Sequence, residues 1–361
     1  RYGVSHEKVE QAFTEAMARL QAEPVTDFEL KKAINQVSAE LTFAYGSVSG
    51  LARAIGHLEI TVGYQEVGTY LDKIRQVTAA DVQRVAKQYL TVDNRTVGWF
   101  IPQGERPGHS VQPPGSRGSV NRSVEPPLLS GTESETPAAG PPASAGGRVV
   151  RTILPNGLTL IAAENHVAKS VAIKGYVQAG PVSDPPGKAG LSNVTAMLLT
   201  RGTPTRSADA LAESLDFLGA SLSLQSEQET VGITAQMLTE HFDKVLDLLA
   251  DCLRNPTFPQ SELVKTLGQL KTRLTHEAED SRERGQREIF AQLFPADHPL
   301  HRNPKGQLAD LDNISRSDVA QFHQQLYQPD RTVLVIAGDL TPEQILASVQ
   351  RAFGGWERQP G

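Results

Sequence analysis

Cysteine, positive charge and long apolar runs are all scarce in this chain. Its 361 residues include one cysteine, Cys252, so an intrachain disulfide is impossible. Cys252 lies in an apolar helical run and reads as a small core residue, not a reactive thiolate. Lysine and arginine number 35 against 41 acidic residues, a net charge of −6. No basic block is present to follow a phosphate backbone, which argues against a nucleic-acid partner. No apolar run approaches the roughly 20 residues of a membrane-spanning helix. The nucleophile elbow G-x-S-x-G, the phosphate loop G-x-x-x-x-G-K-[ST] and the dinucleotide fingerprint are also missing. What remains, 39 % hydrophobic and 21 % charged, is an ordinary globular composition of two or so domains. The chain opens at Arg1 in helix-like sequence with no targeting segment in view, and we expect it to be a piece of a longer parent.

The sequence repeats itself. Val77–Val97 (VTAADVQRVAKQYLTVDNRTV) matches Ile314–Val333 (ISRSDVAQFHQQLYQPDRTV) with one residue missing between Asp330 and Arg331. Both copies open on a helix cap, Thr78 with Asp81 and Ser315 with Asp318, where a hydroxyl and an acid three residues on satisfy free N–H groups. Both end in Arg-Thr-Val, where a strand is expected to begin. Upstream, Phe28–Leu41 pairs with Ser261–Leu274, and Leu30, Ile34, Val37 and Leu41 match Leu263, Leu267, Leu270 and Leu274. That spacing marks one buried helical face. An amphipathic helix precedes each, Val9–Leu20 and Phe242–Leu253.

The second copy has a sheet-forming half in front of it. Val149–Asn165 holds Asn156-Gly157, a hairpin-turn signal between alternating apolar residues. Ser170–Gly180 reads as another strand, and its edge is a candidate platform for an extended peptide. Helices follow near Ala189–Arg201 and Ala208–Leu218, then two more strands over Ser221–Met237. A complete copy therefore covers residues 148–361. The first copy, residues 1–102, lacks an equivalent sheet; its helices are expected to expose an apolar face and to depend on other domains. Residues 103–147, dominated by Gly, Pro, Ser and Glu, read as a flexible linker with an end-to-end span of roughly 35–40 Å.

The stretch Gly190–Thr203 (GLSNVTAMLLTRGT) carries the most chemical information. Positions i, i+3 and i+4 share one helix face, so two imidazoles and a carboxylate placed there could hold zinc and activate its water. Here those positions are Asn193, Ala196 and Met197. An amide and a thioether are poor zinc ligands, and a methyl group offers no base.

The frame around them, Gly190-Leu191 and Gly202-Thr203, resembles the H-x-x-E-H helix of the insulinase/pitrilysin (inverted zincin) zinc peptidases. Further points of resemblance are Pro155-Asn156-Gly157-Leu158, Ala179-Gly180, Leu218-Gly219-Ala220, His298-Pro299, Gly306, Gly338-Asp339 and Phe353-Gly354-Gly355-Trp356. The resemblance covers nearly all of the chain outside the linker. It implies an α+β fold, an antiparallel-rich sheet backed by helices, in duplicated metallopeptidase-like domains with the first copy truncated. In that family two halves close around a chamber, one carrying the zinc and the other contributing wall and substrate contacts. By the match, residues 1–102 correspond to the end of the first half's second domain and residues 148–361 to the first domain of the second half. The family's third ligand, a glutamate some 75–80 residues after the second histidine, falls near Arg273 and Leu274, with His276, Glu277 and Glu279 close by. The expectation is a non-catalytic part of a zinc endopeptidase, with no catalytic, cofactor-binding or metal-ligating residue of its own. Zinc belongs to the catalytic half of the parent, fused upstream, and peptide or unfolded protein is the substrate. The alternative is a structural scaffold without proteolytic role, and H-x-x-E-H upstream of Arg1 discriminates the two. Likeness to fused, exported relatives points to a bacterial periplasm or cell envelope, with the cytoplasm left open.

The remaining histidines are weaker candidates. His298 and His301 flank a turn-forming proline. His6-Glu7 and His276-Glu277 begin like H-E-x-x-H, but Glu10 and Asp280 stand at the closing position. His57 and His323 sit inside helices with no partner set.

Overall fold

The computed structural model describes residues 5–99, 147–295, 298–301, 303 and 305–358. The expected linker, apart from Gly147, lies outside the described residues. The first hundred residues supply α1 (His6–Ala22), α2 (Asp27–Tyr45), α3 (Val48–Thr61), α4 (Tyr70–Arg75) and α5 (Ala79–Tyr89). The chain divides into two compact units, residues 1–30 with 77–145 and residues 31–76 with 146–361, the division falling inside α2.

In the first unit α1 lies against α5, and hydrogen bonds and an ion pair tie α1 to α5 and the residues that follow it. Gln83 Nε2 donates to the carbonyls of Gln21 and Ala22 at 3.1 Å each. Gln21 Nε2 donates to Leu90 O at 2.7 Å, and Arg95 pairs with Glu10 at 3.5 Å. No residue of α1 is buried. Val9 and Phe13 are 59 % and 55 % exposed. Their counterparts in the second copy, Phe242 and Leu246, are 3 % and 0 % exposed. Val85 and Leu90 are likewise exposed where Phe322 and Tyr327 are buried. The same pattern of apolar residues is covered in one copy and uncovered in the other.

The strand expected at Arg95-Thr96-Val97 does not form. Its counterpart in the second copy is hydrogen-bonded to a strand on each side. Residues 95–99 have no strand neighbour among the described residues, and a lone extended segment has no ladder to satisfy its N–H and C=O groups.

The second unit is built on β1 (Val149–Ile153), β2 (Thr159–Glu164), β3 (Ser170–Val177), β4 (Ser221–Ser226), β5 (Val231–Leu238) and β6 (Thr332–Gly338). Their order is β1-β2-β6-β3-β5-β4, antiparallel except for the parallel pair β2 and β6. Besides α3, α4 and most of α2, its helices are α6 (Leu191–Leu198), α7 (Ala208–Leu218), α8 (Phe242–Arg254), α9 (Gln260–Glu279), α10 (Ser281–Leu293), α11 (Leu308–Leu311), α12 (Arg316–Leu326) and α13 (Pro342–Phe353). The architecture is α+β, an antiparallel-rich sheet backed by helices. Alternation explains the layering: Val171, Ile173 and Val177 of β3 face the core while Ala172, Lys174 and Tyr176 are exposed. Val231, Ile233, Ala235 and Met237 of β5 continue the buried face, against which α8 and α13 pack.

The β1–β2 hairpin forms where Asn156-Gly157 predicts it, through a loop longer than two residues. Gly157 has φ +96°, and Leu154 N donates to Leu158 O at 2.8 Å. The Asn156 amide donates to Phe353 O and Trp356 O, which pins the turn to the end of α13. One strand expectation is corrected. β3 is paired on both sides, with β6 and β5, so it cannot offer an edge to a peptide. The edges are β1 and β4.

Both expected helix caps are complete capping boxes, Thr78 with Asp81 on α5 and Ser315 with Asp318 on α12. Asp318 also pairs with Lys188. Burial works to raise the Asp318 pKa, but the hydrogen bonds from Lys188 and Ser315 outweigh it and hold the carboxyl at about 2. A depressed carboxyl pKa stabilises the fold above the unfolded value of about 3.9 and stops doing so as pH falls through the folded one. Asp318→Asn should therefore be less stable than wild type at pH 6, and the gap should close between about pH 4 and pH 2. Denaturant midpoints measured across that range check this; a constant gap would be the contrary result.

Candidate functional site at the motif helix

The residues of α6 are placed by what happens just before it. Gly190 takes the N-cap position with φ +104°, a backbone conformation that disfavours side chains. A Cβ on Gly190 would lie 2.9 Å from Gly306 Cα, so two backbones meet there without side chains between them. Because glycine has no capping side chain, Asp184 supplies the cap from six residues upstream. Its buried carboxylate accepts from Gly190 N at 2.7 Å and Ser192 N at 2.8 Å. An anion at the positive end of a helix is stabilising. Asp310 accepts from Ala189 N at 3.0 Å, which ties the preceding turn to α11. The Ser192 hydroxyl donates to Ala179 O at 2.6 Å and lies 2.9 Å from the Ser226 hydroxyl on β4. The motif helix is thus seated beside the edge strand of the sheet.

The three positions singled out in the sequence lie on this helix. The Asn193 amide donates to Lys305 O at 3.0 Å. Ala196 is buried among core residues, and Met197 is partly buried. Lys305 Nζ reaches Glu277 Oε1 on α9 at 3.1 Å. Zinc does not fit this set. The Asn193 NH2 group donates to a carbonyl, Ala196 has no donor atom, and Glu277 already has a cation on it. Among the described residues, no group of three or more His, Cys, Asp and Glu side chains is placed to hold a metal. Glu279 is one of the residues whose side chains are not described.

The other sequence candidates do not converge. His298 stacks on Phe294 with ring centroids 4.8 Å apart, while His301 Nδ1 lies 2.9 Å from Phe294 O. His6 stacks on Trp99. His323 is within hydrogen-bonding distance of Leu253 O, and burial lowers its pKa. Burial pushes the Cys252 thiol up to about 12, so it is not a thiolate at neutral pH. One histidine passed over in the sequence has two acidic partners: His166 Nε2 lies 2.7 Å from Glu164, and Nδ1 faces Asp339. Asp339, then Glu164, raise its pKa. Both ring nitrogens are engaged, which leaves neither free for a metal.

Sequence reading also missed Asp184 and Lys305. Asp184 stands in a Pro-Val-Ser-Asp-Pro-Pro run whose link to the helix six residues later is invisible without the fold. Lys305 is adjacent to Gly306, which the pattern did single out.

The family model for insulinase (peptidase family M16) matches residues 159–298, and that for the peptidase M16 inactive domain matches residues 313–361. The chain belongs to the insulinase family of peptidases. Its curated relatives include an uncharacterized zinc protease, YmxG, of Bacillus subtilis, 27 % identical over 202 residues, covering 56 % of this chain and 49 % of that protein. A probable mitochondrial-processing peptidase subunit beta of Arabidopsis thaliana is 24 % identical over 202 residues, covering 56 % of this chain and 38 % of that protein. The chain thus spans about half or less of the length of these relatives. Among solved structures, a peptidase M16 inactive domain from Pseudomonas fluorescens shares the fold with a TM-score of 0.56 at 18 % identity, covering 59 % of this chain and 52 % of that one. The periplasmic protease PqqL from Escherichia coli gives 0.56 at 17 % identity, covering 62 % and 25 %. Among the described residues of this family member, no helix is long and apolar enough to cross a membrane.

Replacing Asp184 with alanine would leave the N–H groups of Gly190 and Ser192 buried and unpaired, at about 1–3 kcal/mol each. Gly190→Ala would add strain of about 1–3 kcal/mol from its φ and its contact with Gly306. Thermal denaturation should rank both variants well below Asn193→Ala, which removes one half-buried amide; equal midpoints for all three would contradict this account of how α6 is seated.

Proposed function

We propose that this chain is a non-catalytic part of an insulinase-type zinc endopeptidase, which completes a substrate chamber and binds peptide while hydrolysis takes place in a zinc-bearing domain upstream. The observation that carries the reading is α6. It keeps the family frame, Gly190-Leu191 and Gly202-Thr203, around Asn193, Ala196 and Met197, none of which can activate water on a metal. In this proposal residues 1–102 end the second domain of the first half, and residues 148–361 form the first domain of the second half. The uncovered faces of α1 and α5 support that placement, since the matching faces of α8 and α12 are buried. The cell envelope is the proposed location, in line with the periplasmic protease among the structural neighbours.

Peptide binding needs a surface, and β4 supports one. It is an edge strand with a neighbour on one side, and it runs beside α6. An extended peptide added to such an edge gains main-chain hydrogen bonds with little dependence on its sequence, as a chamber for varied substrates requires.

The test is a peptidase assay of the full-length parent beside this chain alone, with zinc measured in both. The parent should cleave unfolded polypeptide and carry zinc, and this chain should do neither. A parent that holds no zinc and cleaves nothing would instead favour a scaffold. Stoichiometric zinc on this chain would overturn its non-catalytic assignment.

A further inference from the structure

The mismatch between α6 and a metal is not merely a loss of ligands, because the residue whose carbonyl holds Asn193 of the helix also carries a cation. Glu277 lies 80 residues beyond Met197, near the C-terminal end of α9, a helix that packs on α6. Its side chain is 20 % exposed, and its carboxylate faces the Lys305 ammonium at 3.1 Å. The backbone carbonyl of the same lysine accepts the Asn193 amide. One residue therefore bridges α9 and α6, by its charge to the first and by its carbonyl to the second. It is held between two seats: Asn303 Oδ1 accepts from Lys305 N at 3.0 Å, and Gly306 sits against Gly190.

We infer that the Lys305 ammonium is the built-in cation of this site, taking the charge-compensating place beside Glu277 that a metal would otherwise fill. The inference rests on the non-catalytic reading and extends it. Asn193, which would be a ligand position, anchors the loop that carries the replacement cation. An ammonium compensates a carboxylate and donates hydrogen bonds, but it has no empty coordination position with which to polarise water. The domain thereby keeps the tie between α9 and α6 without needing a metal to fold. Lys305 acts here as a positioning residue.

The experiment restores the ligands and asks whether the lysine stands in the way. Two full-chain variants are compared, one with Asn193→His and Met197→His, the other with these and Lys305→Met. Zinc affinity is read by competition with a chromophoric chelator. The expected result is at least about tenfold tighter zinc binding when Lys305 is removed, the scale on which groups supporting a metal site act. Adding Glu277→Gln to the tighter variant should abolish that gain. Zinc bound equally by both variants, or by neither, overturns the inference. Should the histidine substitutions unfold the chain, Lys305→Met and Glu277→Gln decide the matter without them. Each should lower the thermal midpoint, and the double variant should fall no further than the worse single one, whereas additive losses would overturn the pairing. The unmutated chain is the separate control. Zinc on it would sink the non-catalytic reading, while equal affinities in the variants sink only the role given to Lys305.

Discussion

The seating of the α6 N-terminus is the constraint on which the arrangement of this site depends. A helix of eight residues has little stability of its own, because the cost of its first turn is spread over few bonds. It exists here because its free N–H groups find the Asp184 carboxylate and because Gly190 lets Gly306 approach backbone to backbone. Asp310 fixes the turn before it, and Lys188 ties the same turn to the cap of α12. Gly306, α11 and α12, a consecutive stretch remote from α6 in sequence, are thus anchored on a few residues around position 190. Any chemistry or binding at this face inherits its geometry from that anchor, whatever side chains α6 then presents.

The two copies within the chain make a natural comparison of the same pattern in two surroundings. α12 and α5 share a cap, a length and a register of apolar residues. Phe322 is buried where Val85 is exposed, and Tyr327 is buried where Leu90 is exposed. The difference comes from what packs on these helices in the second unit, α6 against α12 and α13 with β5 against α8, and not from the helices themselves. Secondary structure in both copies follows local rules, and burial follows what is packed against them. Strand formation shows the same dependence. Arg331-Thr332-Val333 leads into β6 because β2 and β3 receive it, while Arg95-Thr96-Val97 has no partner strand among the described residues.

Local signals in the sequence were reliable where they involve neighbours a few residues apart. The caps at Thr78 and Ser315, the hairpin at Asn156-Gly157 and the buried face of α9 all depend on spacings of two to four residues. Strand order was not legible, and β3 shows why. Its alternation of buried and exposed residues is the same for a central and an edge strand when one face of the sheet is open, so the pattern fixed its faces and not its neighbours. Asp184 and Lys305 escaped notice for a related reason. A carboxylate that caps a helix from outside the capping position, and a lysine whose partner is on another helix, leave no periodic trace.

The chemistry of the degenerate face is coherent as it stands. Removing a metal from a half-buried cluster leaves carboxylates and imidazoles whose desolvation is no longer compensated, and unpaired buried polar groups are costly. Each position here answers that problem differently. Ala196 removes the polar group altogether and joins the core. Met197 substitutes an adaptable apolar chain. Asn193 keeps polarity but spends it on a backbone carbonyl. Glu277 keeps its charge and has a lysine against it. A helix that had drifted without constraint would leave donors or charges unmatched on this face. Instead Asn193 and Glu277 each have a partner and Ala196 has a place in the core, which is what the proposed non-catalytic role asks of this face.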